Sequence, residues 1–178
     1  MSSSTPEEPR ENSPVQGWER VARAAASSYS GGLDSEEVGL RRELLVFGLA
    51  GSSYAIPVER IREIVRMREL TRIPRSPDWL LGVVTLRGEV VEVVDLRRRL
   101  DLEISDSSRT TRIIVLHGDA DRVTGVLVDS VNQVFRAPEA EIVPSQGLDS
   151  VSVVEICRRE DEFVSILDID HALGMNDG

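Results

Sequence analysis

Short apolar runs alternate with small or polar residues along most of this chain. The runs 45–49 and 54–58 are separated by Ala, Gly and Ser, and the runs 81–86 and 90–94 are separated by a turn at 87–89 that contains a glycine. Glycine takes positive φ easily, and apolar runs of this length bounded by turn residues are typical of β-hairpins. Because no long helical pattern lies between the runs, the sequence predicts small β-barrels.

The pattern of apolar strands occurs twice. The segment 88–100 matches 161–173 at an offset of 73, and the segment 54–64 matches 124–134 at an offset of 70. Two matches in the same order, at nearly the same offset, predict a duplicated unit of about 65 to 70 residues. The sequence therefore predicts an all-β chain with two tandem barrels, the first over 43–104 and the second over 105–178.

Each barrel is expected to close with a short helix or turn that begins with an aspartate. Asp95 precedes three arginines, the order of charges that a helix dipole favours, and Asp168 occupies the same place in the second repeat, in a segment that ends at Gly174. These two aspartates with His117 and His171 are also the only plausible acid, base or ligand set. Their spacing matches no metal motif, and no nucleophile turn or phosphate loop is present. We therefore predict neither an enzyme nor a metal or cofactor site.

Residues 1–42 are rich in Ser, Glu, Pro and Gly, a composition that buries too little apolar surface to fold alone. We predict a mobile tail here. Within it, one helical stripe predicts a short amphipathic helix over 17–29, which either docks on a partner or has none. The stripe consists of Trp18, Val21, Ala22, Ala25 and Tyr29.

Composition and charge narrow the function further. The single cysteine, Cys157, lies in an apolar run and is expected to be a buried thiol. No apolar stretch approaches the roughly 18 residues of a membrane span, and the first residues lack the pattern of a signal peptide, so we predict a cytoplasmic protein that does not insert into the membrane. The formal net charge is −10, and residues 105–178 carry 6 Arg against 14 acidic residues. This acidic balance disfavours nucleic acid and leaves proteins as the expected partners.

The segment 72–97, Arg-Ile-Pro-Arg-Ser-Pro-Asp-Trp-Leu-Leu-Gly-Val-Val-Thr-Leu-Arg-Gly-Glu-Val-Val-Glu-Val-Val-Asp-Leu-Arg, resembles the central signature of the CheW family, the adaptors of bacterial chemosensory arrays. The resemblance extends in order over roughly 43–173. It includes Phe47 to Leu49, Tyr54 to Ile64, Gly125 to Val131 and Ile166 to Asp170.

The resemblance implies two five-stranded SH3-like barrels and a non-catalytic role. Such adaptors couple the cytoplasmic tips of chemoreceptors to a CheA-type histidine kinase, at the membrane-associated array. A specialised paralogue that binds only one of the two partners is the alternative. The resemblance assigns no kinase-binding residues, but it implies a receptor-binding surface formed by Ile61, Glu63, Ile64, Arg87 and Gly88.

The residues around Glu63 permit an independent interpretation. If 60–68 is extended, strict alternation places Glu63 in an apolar row, opposite a row of arginines. Glu63 is then either a buried carboxylate with a partner or part of an open apolar strip that receives another protein. The apolar row consists of Ile61, Val65 and Met67, and the opposite row consists of Arg60, Arg62, Ile64, Arg66 and Arg68.

Two departures from the family pattern affect these expectations. Glu92 stands where the family commonly has proline, a change that a solvent-facing position tolerates. The hairpin around Glu160 and Asp161 lacks the usual glycine. We therefore expect this hairpin to be longer than usual or strained.

Overall fold

The computed structural model describes residues 39–118, 122–145 and 152–174. The predicted tail helix over 17–29 lies outside the described residues. The described part forms β1 (Arg41–Leu49), β2 (Ser52–Pro57), β3 (Ile61–Arg66), β4 (Leu80–Leu86), β5 (Glu89–Asp95), β6 (Arg112–Leu116), β7 (Val123–Val128), β8 (Ser130–Pro138), β9 (Ile142–Pro144), β10 (Val153–Arg159) and β11 (Glu162–Leu167), with helices α1 (Leu96–Arg99) and α2 (Ile169–Leu173) and 3₁₀ turns at Val58–Arg60 and Glu139–Glu141.

The strands form two sheets, and each sheet contains strands from both repeats. One sheet has the order β8-β1-β2-β11-β10-β9 and the other has the order β3-β6-β7-β5-β4. In the six-stranded sheet, β1 and β2 of the first repeat lie between β8 and β11 of the second repeat. In the five-stranded sheet, β6 and β7 of the second repeat lie between β3 and β5 of the first repeat. The predicted all-β class with two small barrels and short helices is confirmed, but one sheet has six strands where five were predicted. The predicted assignment of one barrel to 43–104 and the other to 105–178 is corrected, because the two repeats exchange strands.

In each sheet, a short segment of the chain links the two outer strands. In the five-stranded sheet, Thr71 follows β3 and pairs with Val83 of β4 through two backbone hydrogen bonds of 2.9 Å. Gly82 permits this approach, because a Cβ atom there would lie 2.4 Å from the carbonyl oxygen of Thr71. In the six-stranded sheet, the 3₁₀ turn Glu139–Glu141 joins the two outer strands β8 and β9.

Three apolar clusters hold the strands together. One lies inside the six-stranded sheet, a second lies inside the five-stranded sheet, and the third lies between the two sheets. The third, which we call the shared core, combines Phe47 of β1, Ile114 of β6, Leu96 of α1 and Ile169 of α2, each at most 2% exposed. Since both sheets depend on the shared core, we expect them to unfold as one cooperative unit.

The two aspartates that match between the repeats begin the two helices, as predicted. The Asp95 side chain accepts a hydrogen bond of 3.1 Å from the backbone N–H of Arg97, and Asp168 accepts one of 3.0 Å from His171. Helix α2 ends at Gly174 with φ of 69°, the left-handed cap that glycine favours. Both helices are short, and no helix among the described residues is long and apolar enough to cross a bilayer.

The hairpin between β10 and β11 turns at Glu160 and Asp161. Glu160 has φ of 53°, a left-handed conformation that is strained for a residue with a side chain. The strained turn expected from the missing glycine is therefore confirmed. Glu92, the other departure from the family pattern, is half-buried in β5.

Cys157 is buried inside the six-stranded sheet with 1% of its surface exposed, as predicted. Burial raises the pKa of its thiol from 9.0 to about 11, and Glu141 and Glu155 add to the effect. Because the folded state holds the proton more tightly than the unfolded state, the thiol's contribution to stability is full below about pH 9 and is lost as the pH rises through about 11.

We expect this titration to be visible in unfolding experiments. Between pH 8 and about pH 10.5, the free energy of unfolding should fall by about 2 kcal/mol more in the wild type than in Cys157→Ala. Urea unfolding of both proteins at the two pH values measures the difference. If the free energy of unfolding has the same pH dependence in both proteins, the pKa of Cys157 does not differ between the folded and unfolded states.

Candidate functional site

The hairpin between β4 and β5 presents Arg87 at its tip. Leu86 pairs with Glu89, so Arg87 and Gly88 form a two-residue turn with φ of 49° and 87°. Positive φ at both positions is the type I′ geometry that matches the twist of a hairpin. The turn directs the Arg87 side chain into solvent, where 80% of it is exposed.

Two ion pairs join this turn to β3. Arg87 Nη2 lies 3.4 Å from Glu63 Oε2, and Arg62 pairs with Glu89. The hydrogen bond with Glu89 raises the pKa of Arg62 above its ordinary value. The structure therefore brings the predicted residues Glu63, Arg87 and Gly88 together. Arg60, in the preceding 3₁₀ turn, pairs instead with Asp170.

A β-bulge in β3 sets the orientation of Ile61 relative to Ile64. The register with β6 shifts between Ile61 and Glu63, so that Ile61 lies opposite Leu116 and Ile64 lies opposite Ile114. Leu116 and Ile114 both belong to the shared core. Directly opposed residues point to the same face of a sheet, so Ile61 and Ile64 share a face.

The predicted strict alternation, with Ile61 on the face of Glu63, is therefore wrong at this position. A bulge adds one residue to a strand and reverses the alternation beyond it. Farther along, the predicted pattern is confirmed, since Val65 and Met67 pack against the core of the five-stranded sheet. Four residues of the row predicted on the other face, Arg62, Ile64, Arg66 and Arg68, are exposed.

We use the name β3 surface for the five predicted residues, Ile61, Glu63, Ile64, Arg87 and Gly88. Within it, Ile61 and Ile64 lie on one face of β3, and Glu63 lies on the other face, next to Arg87. Ile61 is half-buried against the shared core, Ile64 is 41% exposed and the Glu63 side chain is 20% exposed. Glu63 is thus a partly buried carboxylate with an arginine partner. Ile64 supplies the exposed apolar area of the β3 surface. An aliphatic side chain beside charged groups with free hydrogen-bonding capacity suits contact with another protein.

Sequence reasoning did not single out Val134 of β8, although the repeat match places it under Ile64. Val134 is 53% exposed and lies opposite Leu45 of the shared core, as Ile64 lies opposite Ile114. The strand exchange gives β3 and β8 equivalent places beside the shared core. The offset of 70 between the repeats was the signal that could have identified Val134.

The residues considered for catalysis either cap a helix or face solvent. Asp95 and Asp168 cap helices, and His117 and His171 are exposed. Among the described residues no three His, Cys, Asp or Glu side chains are grouped as metal ligands would be.

Two small sheets that exchange strands around a shared core define a double β-barrel. The family model of the CheW-like domain matches residues 43–176. The chain belongs to the CheW-like family of chemotaxis adaptors, so the resemblance drawn from the sequence is confirmed.

Individual relatives agree with this assignment. The chain is 33% identical to the chemotaxis protein CheW of Bacillus subtilis over 77% of this chain and 90% of that protein. It is 31% identical to CheW of Helicobacter pylori over 88% of this chain and 93% of that protein. Among solved structures, the scaffolding protein TtCheW of Thermoanaerobacter tengcongensis superposes with a TM-score of 0.70 at 26% identity, covering 78% of this chain and 97% of that one.

Proposed function

We propose that this chain couples the cytoplasmic tips of chemoreceptors to a CheA-type histidine kinase, without catalysing a reaction itself. The β3 surface carries the proposal, because it combines an exposed aliphatic side chain with an arginine whose side chain is 80% exposed. Membership of a family of chemotaxis adaptors supports the role. The chain would then act in the cytoplasm, held at the membrane-associated array by its partners.

The receptor contact follows from the chemistry of the β3 surface. A receptor tip is a helical hairpin, and a helix lying along β3 would cover Ile64 and the exposed edge of Ile61. Within the described part of the chain, Arg87 forms one ion pair, at 3.4 Å, so most of its donors are available to carboxylates or carbonyl oxygens of the receptor. A small contact of this kind suits a transient signalling complex.

The kinase contact would lie on a different surface, so that both partners are held at once. The strand exchange supplies a second sheet of similar construction, with its own outer strands β8 and β9. A specialised adaptor that binds only the receptor is the second candidate, and the strained turn at Glu160 in the second repeat favours it. Kinase binding by the purified chain separates the two candidates.

Charge changes on the β3 surface should weaken receptor binding without unfolding the protein. We expect Glu63→Lys or Arg87→Asp to cost about 1 to 3 kcal/mol of binding free energy. The melting temperature should change little in Arg87→Asp, because 80% of the Arg87 side chain is exposed and exposed ion pairs contribute about 0 to 1 kcal/mol to stability. Calorimetric titration with a recombinant receptor tip and thermal unfolding measure the two quantities.

Arg158→Asp is the matched control, because Arg158 is an exposed arginine on β10, outside the β3 surface. It should leave receptor affinity unchanged. The exchanged pair Glu63→Arg with Arg87→Glu restores the contact between β3 and the turn, yet it should still bind the receptor weakly. Loss of folding in Glu63→Lys and Arg87→Asp would mean that these residues are structural.

A further inference from the structure

A row of arginines continues the β3 surface toward the end of β3. Arg66, the last residue of β3, and Arg68, two residues beyond it, are both exposed. Unlike Arg62, which pairs with Glu89, neither Arg66 nor Arg68 makes an ion pair with any described residue. Their guanidinium groups are therefore available to a partner.

A third arginine lies beside this row. Arg66 is directly opposite Arg112 in the ladder between β3 and β6, so both side chains point to the same face. Arg112 Nη1 donates to the carbonyl oxygens of Arg109 and Thr111, both at 2.8 Å, and within the described part of the chain it too has no carboxylate partner. Like charges directly opposite each other destabilise a sheet. This positive charge is concentrated on a chain whose formal net charge is −10.

The arginine row, Arg66, Arg68 and Arg112, has dimensions that fit a helix. Met67 packs against the core of the five-stranded sheet between the exposed Arg66 and Arg68, so the alternation of β3 continues through Arg68, and residues two apart in such a segment are separated by about 6.6 Å. Carboxylates at positions i and i+4 of a helix are separated by about 6 Å along the axis. A guanidinium group can bind a carboxylate through two parallel hydrogen bonds. Arg66 and Arg68 could therefore receive two successive carboxylates of one helix.

Resting on the proposed function, we infer that the receptor helix that lies along β3 carries an acidic pair at i and i+4, which the arginine row binds. The row then selects among the receptors of a cell by charge. Receptors with glutamate or aspartate at these positions bind, whereas receptors with lysine or arginine there are repelled.

The surroundings of the row favour a protein carboxylate over phosphate. Ile64, on the same face of β3 as Arg66, is 41% exposed, and its aliphatic side chain would gain nothing from a nucleic-acid backbone or a lipid headgroup. The net charge of −10 also repels an extended polyanion. A short acidic helix can contact the aliphatic side chain of Ile64 and also place its carboxylates along the short arginine row.

The test uses the full chain and, as probes, the recombinant hairpin tips of the receptors of the same cell. Affinities are measured at about 50 mM and about 500 mM NaCl. The double variant Arg66→Gln, Arg68→Gln should bind an acidic tip about tenfold more weakly at the lower salt concentration, and the difference should shrink to less than about threefold at the higher one. Arg158→Gln should bind as the wild type does, and replacing the acidic pair of the tip by glutamine should weaken wild-type binding by the same factor.

Ile64→Asp separates this inference from the proposed function. If Ile64→Asp abolishes binding while the double variant binds like the wild type, the proposed function stands and the acidic pair is refuted. If the wild type binds no receptor tip, both fail. If vesicles containing phosphatidylserine retain the wild type but not the double variant, and tip binding is unaffected, the ligand is a phosphate and the inference is overturned.

Discussion

Replacing Arg97 by methionine should lower the free energy of unfolding by about 3 to 5 kcal/mol, the cost of leaving a buried charge without its partner. Arg97 and Asp95 are 3% and 2% exposed. Methionine keeps much of the apolar stem of arginine but removes the positive charge. Asp95 would then lose its buried ion-pair partner and keep the more exposed Arg98, 3.5 Å away.

Arg97 also connects distant parts of the chain. Its Nε lies 3.2 Å from Asp95 Oδ1, and its Nη1 lies 3.0 Å from Asp129 Oδ1 and 2.8 Å from both oxygens of Ser105. Asp129 in turn accepts a hydrogen bond from the backbone N–H of Ala50. One guanidinium group thus joins α1, the connector before β6, the corner between β7 and β8 and the turn between β1 and β2.

Arg98→Met is the matched control for Arg97. Arg98 is the next residue of α1 and lies 3.5 Å from the same Asp95, but 35% of its side chain is exposed. We expect its replacement to cost no more than about 1 kcal/mol. Urea unfolding of the two variants measures the difference, and an Arg97→Met variant as stable as Arg98→Met would contradict the importance of the buried network.

Gly82→Ala is expected to cost about 3 kcal/mol, because two effects coincide at this residue. Gly82 has φ of 146°, where side chains are strained by about 1 to 3 kcal/mol. Its added Cβ would also lie 2.4 Å from the Thr71 carbonyl oxygen, and overpacking costs about 1 to 3 kcal/mol. The Thr71–Val83 bridge that closes the five-stranded sheet should open, which hydrogen exchange of the Val83 amide would detect.

Gly51→Ala isolates the backbone contribution. Gly51 has φ of 78°, but nothing lies within 4 Å of the Cβ that alanine would add. Its cost should therefore be about 1 kcal/mol, from conformation alone. If Gly82→Ala costs no more than Gly51→Ala, the close approach of Thr71 does not limit this position.

Local features of the fold were predictable from the sequence because local chemistry determines them. Asp95 caps a helix, as the arginines that follow it predicted, and Asp168 caps the equivalent helix, as the repeat predicted. The turn at Arg87 and Gly88 forms where glycine allows positive φ. Cys157 is buried because its neighbours in the sequence are apolar. Each of these predictions depended on a few adjacent residues.

The strand exchange could not be predicted in the same way. Offsets of 73 and 70 show that two segments are alike, but a strand of one repeat pairs equally well with the equivalent strands of either copy. The choice is made by the shared core, which buries Phe47 of the first repeat with Ile114 of the second. Such contacts between residues far apart in sequence leave no periodic signal.

The geometry of the candidate surface was not predictable from the sequence. The bulge between Ile61 and Glu63 turns Ile61 toward the shared core, and no glycine or proline marks it in the sequence. The burial of Arg97 was missed for a similar reason, because a run of three arginines is typical of an exposed helix. Only the arrangement of Asp95, Asp129 and Ser105 around Arg97 makes this burial tolerable.

Retention of a CheA-type kinase on immobilised receptor tips tests the adaptor role most directly. The kinase should be retained when the purified wild-type chain is present, and it should be lost together with the chain when Ile64→Asp is used instead. Kinase retention that is the same with and without the chain would contradict the account.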